Sequence, residues 1–152
     1  MTDKTILLVD DDGDILFHFK NILSNEGYIV ESASYGKDAV QKTIETKYDM
    51  AIIDIMLPDI RGDQLAIEIR NQNPSIELIL ITGFSYLKEC IEALDIGISE
   101  ILIKPISEDE LLQSVKSTFT VQHHSRANNQ IFNHLKARAS TRQARKRKMK
   151  LF

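Results

Sequence analysis

Residues 5–27 read TILLVDDDGDILFHFKNILSNEG. Thr5–Val9 is an apolar run of strand length, three aspartates follow it at once, and the apolar period then lengthens, placing Ile15, Phe19, Ile22 and Leu23 on one helical stripe. Gly27 follows that stripe, where a helix C-cap needs positive φ. A strand, an acidic turn and a capped helix make one β–α unit.

The alternation continues outward from this unit. Ile29–Ala33, Met50–Asp54, Leu78–Thr82 and Glu100–Ile103 are further short runs rich in β-branched residues. All but Ile29–Ala33, which is mixed, are apolar at nearly every position, and this predicts strands buried on both faces. Between them helical stripes recur: Leu65 with Ile69, then Leu87, Ile91 and Leu94, then Leu111, Leu112, Val115 and Phe119. Gly97 is placed like Gly27, and Ser107 with Glu110 forms a capping box for the last helix. Five β–α units demand parallel strands joined by right-handed crossovers, with helices on both faces of one sheet. No internal sequence repeat accompanies the alternation.

The chain has 152 residues, about one domain, with 43% apolar and 27% charged side chains, which excludes a disordered, collagenous or disulfide-framed class. Apolar runs are strand-sized, so no membrane span is expected, and Asp3 stands where a secretory signal would be cationic. The expected location is the cytoplasm. The one cysteine, Cys90, has no internal disulfide partner and reads as a small buried hydrophobe.

The net charge of −3 conceals a division: residues 1–120 hold ten basic and all 22 acidic side chains, net −12, while residues 121–152 hold nine Lys and Arg and no carboxylate. Two segments are therefore expected, a domain over 1–120 and a basic tail over 121–152. Pro105 is the last Gly or Pro, so nothing forces the last helix to stop, and the tail is expected to be helical in part. Ile131, Phe132, Leu135 and Ala139 form a short stripe there, followed by ARKRKMKLF at 144–152. The simplest reading of the tail is a solvated charged extension; binding of nucleic acid or another anionic surface is the sharper alternative. His123 and His124 are adjacent and make a poor metal pair.

In a doubly wound sheet ligands bind outside the carboxyl ends of the strands. The first strand here ends in Asp10 and Asp11, the third in Asp54, the fourth in Thr82 and the fifth in Lys104-Pro105. Carboxylates gathered in one crevice repel each other, and a hard divalent cation such as Mg²⁺ is the natural compensation. A cation, a lysine and a hydroxyl around a carboxylate suit a phosphoryl group.

The stretches ILLVDDDGDI, YDMAIIDIMLPDIRG, LILITG and EILIKPI, in this order, resemble the receiver domain of two-component response regulators over roughly residues 4–120. The resemblance implies a flavodoxin-like sheet in the order 2-1-3-4-5. It also implies that Asp54 accepts a phosphoryl group from a phosphohistidine on a sensor kinase or histidine phosphotransfer protein. Asp11 is then a direct Mg²⁺ ligand, Asp10 acts on the ion through water, and Met56 contributes its backbone carbonyl. Lys104 would hold a phosphoryl oxygen, Thr82 would swing toward the phosphoryl group, Pro105 would follow a cis peptide, and Pro58 and Gly62 would shape the turn after the third strand. A downstream target protein and a homodimer are further implied possibilities. Asp12, Asp14, Asp59 and Asp63 read as caps or turn residues, and His18 as a helix-face histidine.

Two departures from the family pattern bear on what the resemblance implies. Ile101 stands where an aromatic switch is usual, so signalling is expected to be weaker or to run through other groups such as Phe84. Met56 and Phe84 are both large and apolar beside the expected path of hydrolytic water, which predicts slow self-dephosphorylation. The tail's 32 residues are too few for a helix-turn-helix module, so no output domain is expected within them. Within the receiver reading a terminal regulator and a phosphorelay intermediate compete, and against it stand a receiver-like scaffold that takes no phosphate and a haloacid-dehalogenase-type phosphatase using Asp10-Asp11-Asp12-Gly13. The phosphatase lacks a later acidic pair except Glu108–Glu110 and leaves Asp54 without work.

Overall fold

The computed structural model describes residues 3–83, 86–93, 95 and 97–120. The elements alternate as read from the sequence: β1 Thr5–Val9, α1 Gly13–Asn25, β2 Ile29–Ala33, α2 Gly36–Glu45, β3 Met50–Asp54, α3 Gly62–Gln72, β4 Glu77–Thr82, α4 Leu87–Ala93, β5 Glu100–Ile103 and α5 Glu108–Thr120. The five strands form one parallel sheet in the order β2-β1-β3-β4-β5. This is the flavodoxin-like order that the resemblance implied.

Burial follows the strand composition. β3 is buried at all five positions, whereas β2, at the edge, is buried only at Val30 and Ala33. One core cluster joins Ile6, Leu8, Ile52, Ile79 and Leu102 of the sheet to Phe19, Ile22 and Leu23 of α1 and to Leu111 and Val115 of α5. Each such side chain, taken wholly out of water, contributes about 1.5–3 kcal/mol. α2, α3 and α4 pack in series beside one another, so the sheet has helices on both faces.

The local signals held at the helix ends. Gly27 has φ +95°, and Tyr28 donates its N–H to the Leu23 carbonyl across it, closing α1 in a conformation that a side chain would strain. Asp12 caps α1 by accepting from the N–H groups of Asp14 and Ile15 at 3.0 and 3.3 Å. Ser107 and Glu110 exchange the expected capping-box bonds at 3.1 and 3.3 Å.

Three details differ from the sequence reading. β4 begins one residue earlier, at Glu77, because Met50 of β3 offers it a pairing partner. Leu16 joins the buried face of α1, while Ile15 is only half-buried. α4 buries Leu87, Cys90 and Ala93, with Ile91 half-buried, and Leu94 lies outside the described residues. The helix turns its small side chains inward, and apolar size alone pointed to the neighbouring stripe. The tail expectations, including His123, His124 and the 131–139 stripe, also lie outside the described residues.

Candidate functional site

Strand register carries the site residues to one edge. Val9 pairs with Ile53, Asp54 with Ile81, and Thr82 with Ile103, so Asp10, Asp54, Thr82 and Lys104 emerge together at the carboxyl end of the sheet. The Lys104 N–H donates to the Thr82 carbonyl at 2.8 Å, extending the ladder to the last of them. Asp10, Asp54 and Thr82 are buried, with relative exposures of 4, 2 and 0%.

Asp54 sits at the centre. The Lys104 ammonium donates to its Oδ2, and the Met56 N–H donates to its Oδ1 at 2.7 Å. The peptide between Lys104 and Pro105 is cis. The β3–α3 loop holds Met56 in place by folding back on itself: Arg61 bridges Met56 in antiparallel fashion, and the Gly62 N–H donates to the Ile55 carbonyl at 2.8 Å. Only glycine fits at position 62, where a Cβ would lie 2.3 Å from the Asp54 carbonyl oxygen.

Asp10 accepts the Asp12 N–H on Oδ1 at 2.9 Å, and its buried Oδ2 has no hydrogen-bond partner among the described residues. Burial, opposed by that N–H and reinforced by the neighbouring Asp54, pushes its carboxyl up to about 7. Lys104 shifts upward: burial would lower it, but the pairing with Asp54 prevails. Asp11 is exposed at the rim. The Thr82 hydroxyl donates to the Gly83 carbonyl at 2.8 Å and so is turned to its own chain. Met56 is 56% exposed, and Phe84 lies outside the described residues. Ile101 is 1% exposed in β5.

The donor set fits a hard cation. It offers carboxylate oxygens, one of them desolvated and unpartnered among the described residues. Among the described residues no three His, Cys, Asp or Glu side chains converge into a metal cage. That pattern suits Mg²⁺, which is usually held by one or two carboxylates with water completing the shell, better than it suits a metal needing an all-protein cage.

The residues read as caps stay out of the cluster. Asp12 caps α1, and Asp59 accepts the Gly36 and Lys37 N–H groups, each at 2.9 Å, at the start of α2. Asp63 holds the Arg61 guanidinium in a two-pronged ion pair at 2.6 and 2.9 Å. His18 is exposed on α1 beside the Phe19 ring. Burial pushes the Cys90 thiol up to about 12, in keeping with an inert buried residue. The Arg61–Asp63 pair was missed by sequence reasoning, because two charges spaced i, i+2 around a glycine carry no helical-pair signal.

Sheet order and acidic pocket together define a doubly wound α/β domain of the receiver type. The chain belongs to the response regulator receiver domain family, whose model matches residues 6–116, and is thus a receiver domain of two-component signalling. It is 32% identical over 112 residues to the response regulator ArlR of Staphylococcus aureus, a match covering 74% of this chain and 51% of that protein. The chain therefore spans about half the length of the curated relatives it matches. A CheY-like receiver domain from Methanospirillum hungatei superposes with a TM-score of 0.75 at 33% identity, covering 78% of this chain and 95% of that one. The BeF3-activated DrrB receiver domain gives a TM-score of 0.71 at 27% identity, covering 79% and 100%.

Proposed function

We propose that this receiver accepts a phosphoryl group on Asp54 from a phosphohistidine of a sensor kinase or histidine phosphotransfer protein. The modified chain then acts as a phosphorylation-controlled interaction switch toward a downstream target. The observation that carries the reading is a buried Asp54 carboxylate paired with Lys104 beside the desolvated, unpartnered oxygen of Asp10. An Asp54 oxygen attacks phosphorus, the P–N bond to the imidazole breaks with its electron pair leaving on nitrogen, and an acyl phosphate forms. Lys104 is already at the carboxylate and passes to a phosphoryl oxygen. Thr82 must release the Gly83 carbonyl for its hydroxyl to reach that group. Asp10, Asp11, Asp54 and the Met56 carbonyl would hold Mg²⁺. The ion, when bound, offsets the repulsion between carboxylates and the incoming phosphoryl charge. Support comes also from the relative activated by BeF3, since a carboxylate-bound trifluoroberyllate imitates a phosphoryl group in charge and shape.

Intact mass after incubation with a small acyl phosphate, with and without Mg²⁺, tests the reading. One phosphoryl adduct is expected, requiring both Mg²⁺ and Asp54 and absent from Asp54→Asn. No adduct on a folded chain would favour a phosphate-independent scaffold. Donor turnover that needs Asp10 but not Asp54 would favour the phosphatase.

A further inference from the structure

The loop that steadies Asp54 ends in an unusual charge arrangement. Arg61 occupies the N-cap position of α3 without capping it, and its guanidinium instead forks onto Asp63, whose side chain is 13% exposed. Glu89 on α4 lies within electrostatic reach of Arg61 and, after Asp63, adds to the upward shift of its pKa. Yet the Glu89 Oε2 is buried with no hydrogen-bond partner among the described residues. A buried carboxylate oxygen left unmatched is costly, and the nearby guanidinium is a donor that could meet it. The next residue, Cys90, is wholly buried and contacts the Thr82 side chain.

We propose that Arg61 is a positioning residue that couples the phosphoacceptor loop to α4 by changing ion-pair partner, from Asp63 in the unmodified chain to Glu89 in the phosphorylated one. The coupling is mechanical at both ends. The Arg61 backbone is bridged to Met56, whose N–H holds the Asp54 carboxylate, so a change at Asp54 is felt at Arg61. Thr82 bears on α4 through Cys90, so its movement toward a phosphoryl group shifts the helix that carries Glu89. One guanidinium between two carboxylates on different elements is a two-state contact, which both ends can bias. The phosphorylated half of this inference rests on Asp54 as phosphoacceptor.

Amide hydrogen exchange over Leu87–Ala93 tests it, with the adduct followed by intact mass in the same samples. In the wild type, phosphorylation with an acyl phosphate and Mg²⁺ should slow exchange in α4 by roughly fivefold, the size of one partly buried ion pair. Glu89→Gln should take the same adduct and lose that response. Asp63→Asn, which releases Arg61, should show the slowed exchange before any phosphoryl donor is added. The proposal is overturned if phosphorylated Glu89→Gln slows exchange as the wild type does, if the wild type takes the adduct without a change in α4, or if unmodified Asp63→Asn exchanges at the wild-type rate. The Asp63→Asn arm needs no phosphoryl group, so it decides the connector even where a missing adduct defeats the phosphoacceptor reading.

Discussion

Asp10 lives in two opposing environments, an N–H that favours its charge and a dry wall beside Asp54 that penalises it, and the wall prevails. With the folded-state value raised from 3.8 to about 7, the protonated form is the one the metal-free fold prefers. Its contribution to stability is complete below the unfolded value and is lost as pH rises through about 7. In chelator, then, the melting temperature of Asp10→Asn relative to wild type should be higher at pH 8 than at pH 5.5, and added Mg²⁺ should stabilise the wild type more at pH 8. Equal differences at both pH values would count against the assignment. Gly62 shows the complementary constraint, since space rather than charge rules there. Alanine at 62 would press its Cβ on the Asp54 backbone, displacing the strand end that presents the Asp54 carboxylate. Gly62→Ala is accordingly expected to slow adduct formation at least as much as it lowers the melting temperature, both read on the same preparation.

At the scale of elements, α2 depends on a residue far from it in sequence. Its own N-cap position, Tyr35, makes no side-chain cap, and Asp59 of the β3–α3 loop supplies both missing acceptors. The Asp59 carboxyl lies below its ordinary range: burial would raise it, but the N–H groups of Lys37 and Gly36 prevail. Asp59→Ala is expected to cost about 1 kcal/mol in denaturant unfolding, the usual worth of a cap. Because the same loop carries Met56, it should also alter adduct formation; unchanged stability would show the cap to be idle. That Asp59 caps something was legible from its residue type, but not which helix. The buried face of α4 was hidden for another reason: Cys90 and Ala93 are inward because the helix packs on β4 and α3, and hydrophobic size alone favours Ile91.

Across the whole molecule the acidic and basic charges are separated along the chain rather than mixed. Among the described residues the buried core cluster runs from Ile6 to Val115, and a chain ending at Thr120 is expected to take up phosphoryl groups at the full-length rate, measured by the same mass assay. The full chain, with nine basic residues after position 120, should be retained on a polyanion resin at low salt and released steeply as salt rises, whereas the truncated form should flow through. Equal elution of the two would show the tail's charge to be masked. Strand and helix identity, the parallel sheet, and the placing of Asp10, Asp54, Thr82 and Lys104 at strand ends could all be read from the sequence, because hydrophobic period and chain order are local quantities. Only the tertiary structure decided which carboxylate oxygen is left dry, that Thr82 faces the Gly83 carbonyl, and that Arg61, paired with Asp63, lies within electrostatic reach of Glu89. The dry Asp10 oxygen and the approach of Arg61 to Glu89 depend on groups far apart in sequence, Asp10 beside Asp54 and Arg61 on one β–α loop near Glu89 on the next helix, and no local pattern encodes how such groups meet across a packed sheet edge.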